Sequence, residues 1–264
     1  MQLSSCLLVL TLIGFLFSCK KDDNNVPLPS EKAIKLVKQL VASTTDFINY
    51  EYDSSGQVTK YITQWQNVGG TVSRLTNVYK YAGKKLVKSS NESGYGTYTY
   101  AGDLISRSEH FAANGKKISS LTYSFNAAGQ LTEVTEQIAN PFDDAPMATR
   151  ISYQYYANGN LSRLDFAHRK ETTGSFIINF SKVFVEYDNK PNPEPDGVIG
   201  NFLPGVILLI NNPVRINNLS ADGSPMGYSR YEYSYNEKGL PTRRKQFIAV
   251  GDLEQSPISF QYVY

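Results

Sequence analysis

Two cysteines, two histidines and two acidic clusters are the groups in this 264-residue chain whose types and spacing point towards chemistry. Cys6 and Cys19 both lie in the first twenty residues. Residues 20–264 hold no cysteine, which excludes a disulfide framework, a cysteine zinc site and a thiol nucleophile from that part of the chain. His110 and His168 stand outside any HExxH pattern. A catalytic or metal-binding histidine needs partners, so both read as strand or loop residues. Asp143-Asp144 lies between Pro141 and Pro146 and reads as a solvated loop tip. The two carboxylates of a glycosidase come from separated positions and flank the bond ~5–9 Å apart. Asn192, Glu194, Asp196 and Gly197 follow the first half of a calcium loop, but the twelfth position is Leu203 where glutamate is needed, so the ligand set is incomplete. There is no GxSxG, no P-loop and no GxGxxG after a strand. The residues thus show no catalytic, metal or cofactor motif.

Composition narrows the class. Net charge is +2, with no basic stretch of the kind that binds nucleic acid. Hydrophobic residues are 41% and charged residues 19%, which fits a folded domain rather than a disordered chain. The aromatic content is dominated by 19 Tyr and 13 Phe against 1 Trp, a bias towards strands.

The elements that would position any site begin after a processing segment. Leu7 to Phe17 is an apolar run too short to span a bilayer, which takes ~20 residues, and suits the core of a signal peptide. Leu16-Phe17-Ser18-Cys19 resembles a bacterial lipobox, which implies cleavage before Cys19 and lipidation of its thiol. Phe17 is bulkier than that pattern prefers, and Met1 to Ser5 carry no Lys or Arg. Acyl chains contribute about 0.8 kcal/mol per buried CH₂, so a multiply acylated Cys19 is a firm anchor. Residues 1–18 are therefore read as signal peptide, and 19–30 as the lipidated cysteine and a polar, Pro-containing tether.

From residue 31 a repeat takes over. Its pattern is aromatic, any residue, aromatic, then a turn ending in Gly, then an aliphatic. Tyr50-Glu51-Tyr52-Asp53-Ser54-Ser55-Gly56-Gln57-Val58 is one copy, and others start at Tyr123, Tyr153 and Tyr233. Tighter copies start at Tyr79 and Tyr98. Tyr-x-Tyr has the period-two alternation that puts both rings on one sheet face. The following Asp or Asn accepts turn hydrogen bonds, and the Gly takes the positive φ. Six or so hairpins give about a dozen strands. In the first return strand Val58, Lys60, Ile62 and Gln64 are expected to alternate against Thr59, Tyr61, Thr63 and Trp65. Residues 30–43 fit either a helical face or a strand starting near Lys35, and the strand is favoured because each Tyr-x-Tyr unit needs a partner. The rhythm breaks at 189–218, where Lys190 to Gly197 holds three prolines that cannot sustain a ladder. Phe202 to Ile210 is strongly apolar and is expected to plug or cap the sheet, with a short helix as one form.

Taken in order, the Cys19-Lys20-Lys21-Asp22-Asp23 start, the Tyr-x-Tyr turns, the Glu186-Tyr187-Asp188-Asn189-Lys190-Pro191-Asn192-Pro193 run and the closing Phe260-Gln261-Tyr262-Val263-Tyr264 resemble Bacteroidota surface lipoproteins with YD-like repeats. More closely, the chain resembles the family holding a domain of unknown function with a porin-like fold. The resemblance covers most of 31–264 and implies fold and location, with no activity attached. The acidic residues after Cys19 imply the outer face of the outer membrane.

The expectation is an all-β chain: an antiparallel β-meander of repeated hairpins, curled into a barrel-like or half-barrel sheet. The function expected is non-enzymatic binding or scaffolding by a lipid-anchored envelope protein. Its partners would be the membrane, through the anchor, and a glycan or protein ligand; nucleic acid is excluded. Trp65 is the aromatic expected to touch a ligand. Most of the tyrosines are expected to pack across strands rather than bind. Two alternatives remain: a hydrolase of extracellular glycan or lipid, and a small porin-like outer-membrane barrel. Against the latter, Lys84-Lys85, Lys88 to Glu92 and Arg243-Arg244-Lys245 put charge on both faces of their strands.

Overall fold

The computed structural model describes residues 36–139, 147–171, 174–195, 203 and 205–264. All regular elements among them are strands. The first eight are β1 (Gln39–Val41), β2 (Phe47–Tyr52), β3 (Val58–Gln66), β4 (Val72–Ala82), β5 (Lys85–Asn91), β6 (Gly94–Ala101), β7 (Leu104–Ala112) and β8 (Lys117–Phe125). The next five are β9 (Leu131–Ile138), β10 (Ala148–Tyr155), β11 (Leu161–Arg169), β12 (Ile177–Pro191) and β13 (Asn211–Ser220). The last four are β14 (Pro225–Tyr235), β15 (Pro241–Val250), β16 (Leu253–Glu254) and β17 (Ile258–Val263). Every pairing is antiparallel, and each strand up to β16 pairs with the next in sequence. The ring closes because β17 pairs with both β15 and β1. The result is a barrel of 16 strands with β16 as an appendage on β15.

The all-β meander agrees with the sequence reading; of the two forms left open there, the closed barrel is the one that forms and the half-barrel is not. The estimate of a dozen strands is too low, because the strands between repeats carry no Tyr-x-Tyr to mark them. The first strand starts at Gln39 rather than Lys35, and residues 31–35 lie outside the described set. The break at 189–218 is also shorter than expected. β12 continues to Pro191, which pairs with Asn211 at the start of β13 after three register shifts.

The turns after Tyr52, Phe125 and Tyr235 share one construction. Asp53 Oδ1 accepts from the amides of Ser55 and Gln57, and Asn126 and Asn236 do the same in their own turns. Gly129 takes φ +76° to complete one such turn, a conformation a side chain resists. Just after the turn comes a β-bulge. Tyr52 pairs with Val58 but Glu51 with Lys60, leaving Thr59 as the extra residue. The bulges at Ser106, Thr132 and Thr242 are equivalent. In all four, the hydroxyl of the extra residue donates to a backbone carbonyl on the partner strand, from Thr59 to Glu51 and from Thr132 to Ser124, for example. The bulge overturns the simple alternation expected after Val58: Val58 lies on the face of Tyr61, not on that of Lys60.

Residues directly opposite in the ladder share a face. One face carries Tyr50, Tyr79, Tyr153, Tyr231 and Tyr262 and is buried. In a closed ring the shielded face is the interior, so the aromatics line the lumen. The other face carries the ion pairs Lys60–Glu51, Arg107–Glu109–Lys117, Arg150–Glu133, Arg163–Asp165 and Arg230–Glu232.

Candidate functional site

The lumen has two unlike ends. At the end where the repeat turns lie, tyrosines latch the hairpins together. The hydroxyl of Tyr52 donates to the carbonyl of Val37 at 2.7 Å, Tyr81 to Val58 at 2.9 Å and Tyr100 to Leu86 at 3.1 Å. Tyr155 donates to Leu131 at 2.7 Å, Tyr187 to Leu161 at 2.6 Å, Tyr233 to Pro213 at 3.2 Å and Tyr264 to Pro241 at 2.8 Å. In most of these the acceptor is the aliphatic that follows the preceding turn, and that side chain is itself buried: Val58, Leu86, Leu131 and Leu161. The tyrosines therefore fill this end as packing, with their polar tips satisfied. Burial raises the phenol pKa of Tyr98, Tyr123, Tyr153, Tyr155, Tyr187 and Tyr231 above its usual value, so they stay neutral donors.

The segment between β12 and β13 reinforces this packed end. Leu208 and Leu209 join a core with Leu131, Tyr153, Leu164, Phe184 and Tyr231, while Ile207 stays exposed. The expected plug is thus present in Leu208 and Leu209, which lie in non-helical backbone; Phe202 lies outside the described residues. Buried Asn160 clips the segment's end by accepting from the amides of Ile210 and Asn211. Tyr235 and Asn212 both donate to Asp188.

Glu194 enters the lumen from the same segment. Its Oε1 accepts from Arg244 Nη1 at 2.6 Å and from the Tyr262 hydroxyl at 2.5 Å. The side chains of Arg244 and Glu194 are 6% and 3% exposed. Arg244 also lies over the Phe260 ring, 4.6 Å from its centroid. Burial works against the guanidinium charge, but Glu194 together with Tyr262, Tyr233 and Tyr231 outweighs it and holds the Arg244 pKa above its usual value. The calcium reading of this segment gives way here, because Glu194 is spent on Arg244; Asp196 and Gly197 lie outside the described residues.

Towards the other end the wall over β5–β8 is polar and small. The ladder sets Ser89, Gly96, His110 and Ser119 in one row and Tyr98, Ser108, Leu121, Glu136 and Thr149 in the next. Ser89 Oγ and the Tyr98 hydroxyl are 2.9 Å apart, Ser108 Oγ and the Tyr123 hydroxyl 2.9 Å, and Ser108 Oγ and His110 Nε2 3.2 Å. Gly96 leaves room for this convergence, since a Cβ there would meet Ser89 Oγ at 2.9 Å. Burial lowers the His110 pKa, with the charge of Glu136 opposing, so the ring is neutral at pH 7. Glu136 accepts from Thr149 at 3.2 Å. Ser89, Tyr98, Ser108, Tyr123 and His110 are neutral hydrogen-bonding partners, with the Glu136 carboxylate on the same face.

His168 lies further round the wall, bonded to Asn179, beside a cavity of about 400 Å³ whose lining includes Ile151, Phe166, His168 and Asn179. Trp65 lies on the luminal face of β3 near the turn to β4, at the opposite end from the latches. It is 38% exposed, and its Nε1 donates to Asn67 Oδ1 at 3.1 Å. The structure does not bring Trp65, His110 and His168 into one cluster. Asp143-Asp144 and Cys19 lie outside the described residues. The sequence reading missed Arg244, Tyr262 and the hydroxyls of β5–β8. The signal was available in phase: counted from each Tyr-x-Tyr with one residue added for the bulge, Arg244 falls on the inward face of β15.

No protein-family model matches the sequence, and no curated protein matches it. Among solved structures, the chain is similar to a porin-like protein from Bacteroides uniformis, with TM-score 0.58 and 14% identity over 86% of this chain and 97% of that one. It is also similar to a porin-like protein from Bacteroides vulgatus, with TM-score 0.51 and 13% identity over 87% and 98% of the two chains. At these identities what is shared is the fold: this chain is a porin-like β-barrel.

Proposed function

We propose that this barrel is a lipid-anchored envelope protein that stands outside the bilayer and holds a glycan in its lumen without catalysing a reaction. The observation that carries the reading is the polarity of the wall. A membrane-spanning barrel turns an apolar band to lipid and keeps a polar lumen. Here the outward face bears ion pairs on β2–β3, β7–β8, β9–β10, β11 and β14, while the inward face bears tyrosines and aliphatics at the latch end and polar groups over β5–β8. A charged residue facing lipid at the midplane costs ~2–4 kcal/mol, so such a belt opposes insertion. Anchoring then falls to Cys19, which precedes the barrel by a short tether.

The lumen supports binding at the end away from the latches. Trp65 offers an amphipathic ring there, and the hydroxyls of Ser89, Tyr98 and Tyr123 with His110 offer neutral donors and acceptors further in. This combination suits a sugar ring. Trp65 is the single tryptophan of the chain, so its fluorescence reports the site directly. Saturable changes with a glycan, lost in Trp65→Phe for want of a reporter and weakened in His110→Ala with Trp65 intact, are the expected result. Silence across a broad glycan panel, with a protein partner recovered instead, transfers the lumen to a peptide ligand.

A further inference from the structure

We propose that Arg244 and Tyr262 form a carboxylate-binding subsite at the floor of the lumen, which Glu194 occupies in cis. The inference rests on the reading that the lumen takes a ligand and names a chemical class for it: one bearing a carboxylate, such as an acidic sugar. The barrel wall builds the site by itself. Arg244 on β15 pairs with Phe260 on β17, and Tyr262 lies two residues further on the same face. Guanidinium, phenol and the Phe260 ring thus converge from two adjacent strands, while Glu194 arrives from the segment after β12.

Glu194 uses the site incompletely. An arginine fork binds a carboxylate best through two parallel N–H donors. Glu194 engages Nη1, and the buried Nε finds no hydrogen-bond partner among the described residues. An unpartnered donor of this kind carries a desolvation cost that a purely structural pair would be expected to avoid. A carboxylate free to set its own angle satisfies Nε and Nη together, with Tyr262 donating to the same group.

The test uses the full chain carrying Glu194→Ala, purified in mild detergent, with propionate as the probe and propionamide and chloride as controls. Removing Cγ and the carboxylate vacates the position on Arg244 and Tyr262 that the propionate carboxylate takes. Propionate at ten times its dissociation constant is expected to raise Tm by roughly 3 °C or more. The controls should leave Tm unchanged, and the rise should vanish in the Glu194→Ala/Arg244→Met double variant. If Glu194→Ala does not fold unaided, the readout becomes the yield of refolded chain. A several-fold higher yield in propionate than in propionamide supports the subsite. Equal effects of propionate and propionamide, or a propionate effect that survives Arg244→Met, overturn it. If Trp65 in the wild-type chain still responds to a glycan in that case, the carboxylate subsite alone falls.

Discussion

The hydroxyl of Tyr155 donates to the backbone carbonyl of Leu131 at 2.7 Å, across 24 residues of sequence. This bond ties the end of one hairpin to the start of the strand before it, and Tyr187 repeats it on Leu161. The latch end of the barrel is a succession of such ties, so its stability should be distributed rather than local.

Tyr155→Phe keeps the ring and removes the tie. It is expected to cost about 1 kcal/mol, the usual net value of one hydrogen bond. Leu161→Ala removes a fully buried side chain beneath the latch and should cost ~2–5 kcal/mol. Urea denaturation of the two variants checks both values. A Tyr155→Phe variant as damaged as Leu161→Ala would show that the ring's position, not its hydroxyl, holds the hairpins.

The bulge hydroxyls should behave independently. Thr132→Val and Thr242→Val each lose a bond to a partner-strand carbonyl, at 3.1 Å in both cases. Each is expected to cost about 1 kcal/mol, and the double variant should show the sum, because the sites share no partners. Chemical denaturation of the three variants measures this.

Gly227 tests close approach between strands. It takes φ +135°, and a Cβ there would lie 2.1 Å from the carbonyl oxygen of Ala249. Gly227→Ala must push β14 from β15, and a loss of about 3 kcal/mol or more is expected. A variant within ~0.5 kcal/mol of the parent would contradict the register of these strands.

Alkaline pH should unfold the protein through its tyrosines. Tyr123, Tyr153, Tyr155 and Tyr187 are neutral in the fold with pKa raised by burial, whereas in the unfolded chain they titrate near the ordinary value of 10. Stability is therefore intact below about pH 10 and falls above it, as the unfolded chain releases protons that the fold retains. Each fully buried phenol contributes up to ~1.4 kcal/mol per pH unit, and the half-exposed ones less. A phenolate titration followed with circular dichroism should show some tyrosines ionising near pH 10 and the rest together with loss of the fold.

Much of this architecture can be read from spacing alone. Tyr50-Glu51-Tyr52 followed by Asp53 and Gly56 specifies a hairpin, because ring alternation and turn chemistry are local properties. Closure is harder to read: β1 meets β17 through three residue pairs, Gln39 to Val41 with Val263 to Gln261, and nothing in those short runs announces it. The polar wall also escapes notice. Ser89, Gly96 and His110 come from three strands and become neighbours only once the ladder register is set. The bulge is the intermediate case. Thr59, Thr132 and Thr242 each follow the residue that ends a turn, a regularity visible in the sequence but without meaning until the carbonyl opposite is known.

The most direct test of a barrel standing outside the bilayer is the behaviour of the chain with Cys19→Ser and no signal peptide, purified without detergent. Flotation with lipid vesicles and sedimentation of the free protein form one measurement of where its outer face belongs. The account predicts a monodisperse soluble protein that does not float and whose gel mobility is unaltered by vesicles. Aggregation relieved only by detergent, or insertion into vesicles with heat-modifiable mobility, would contradict it.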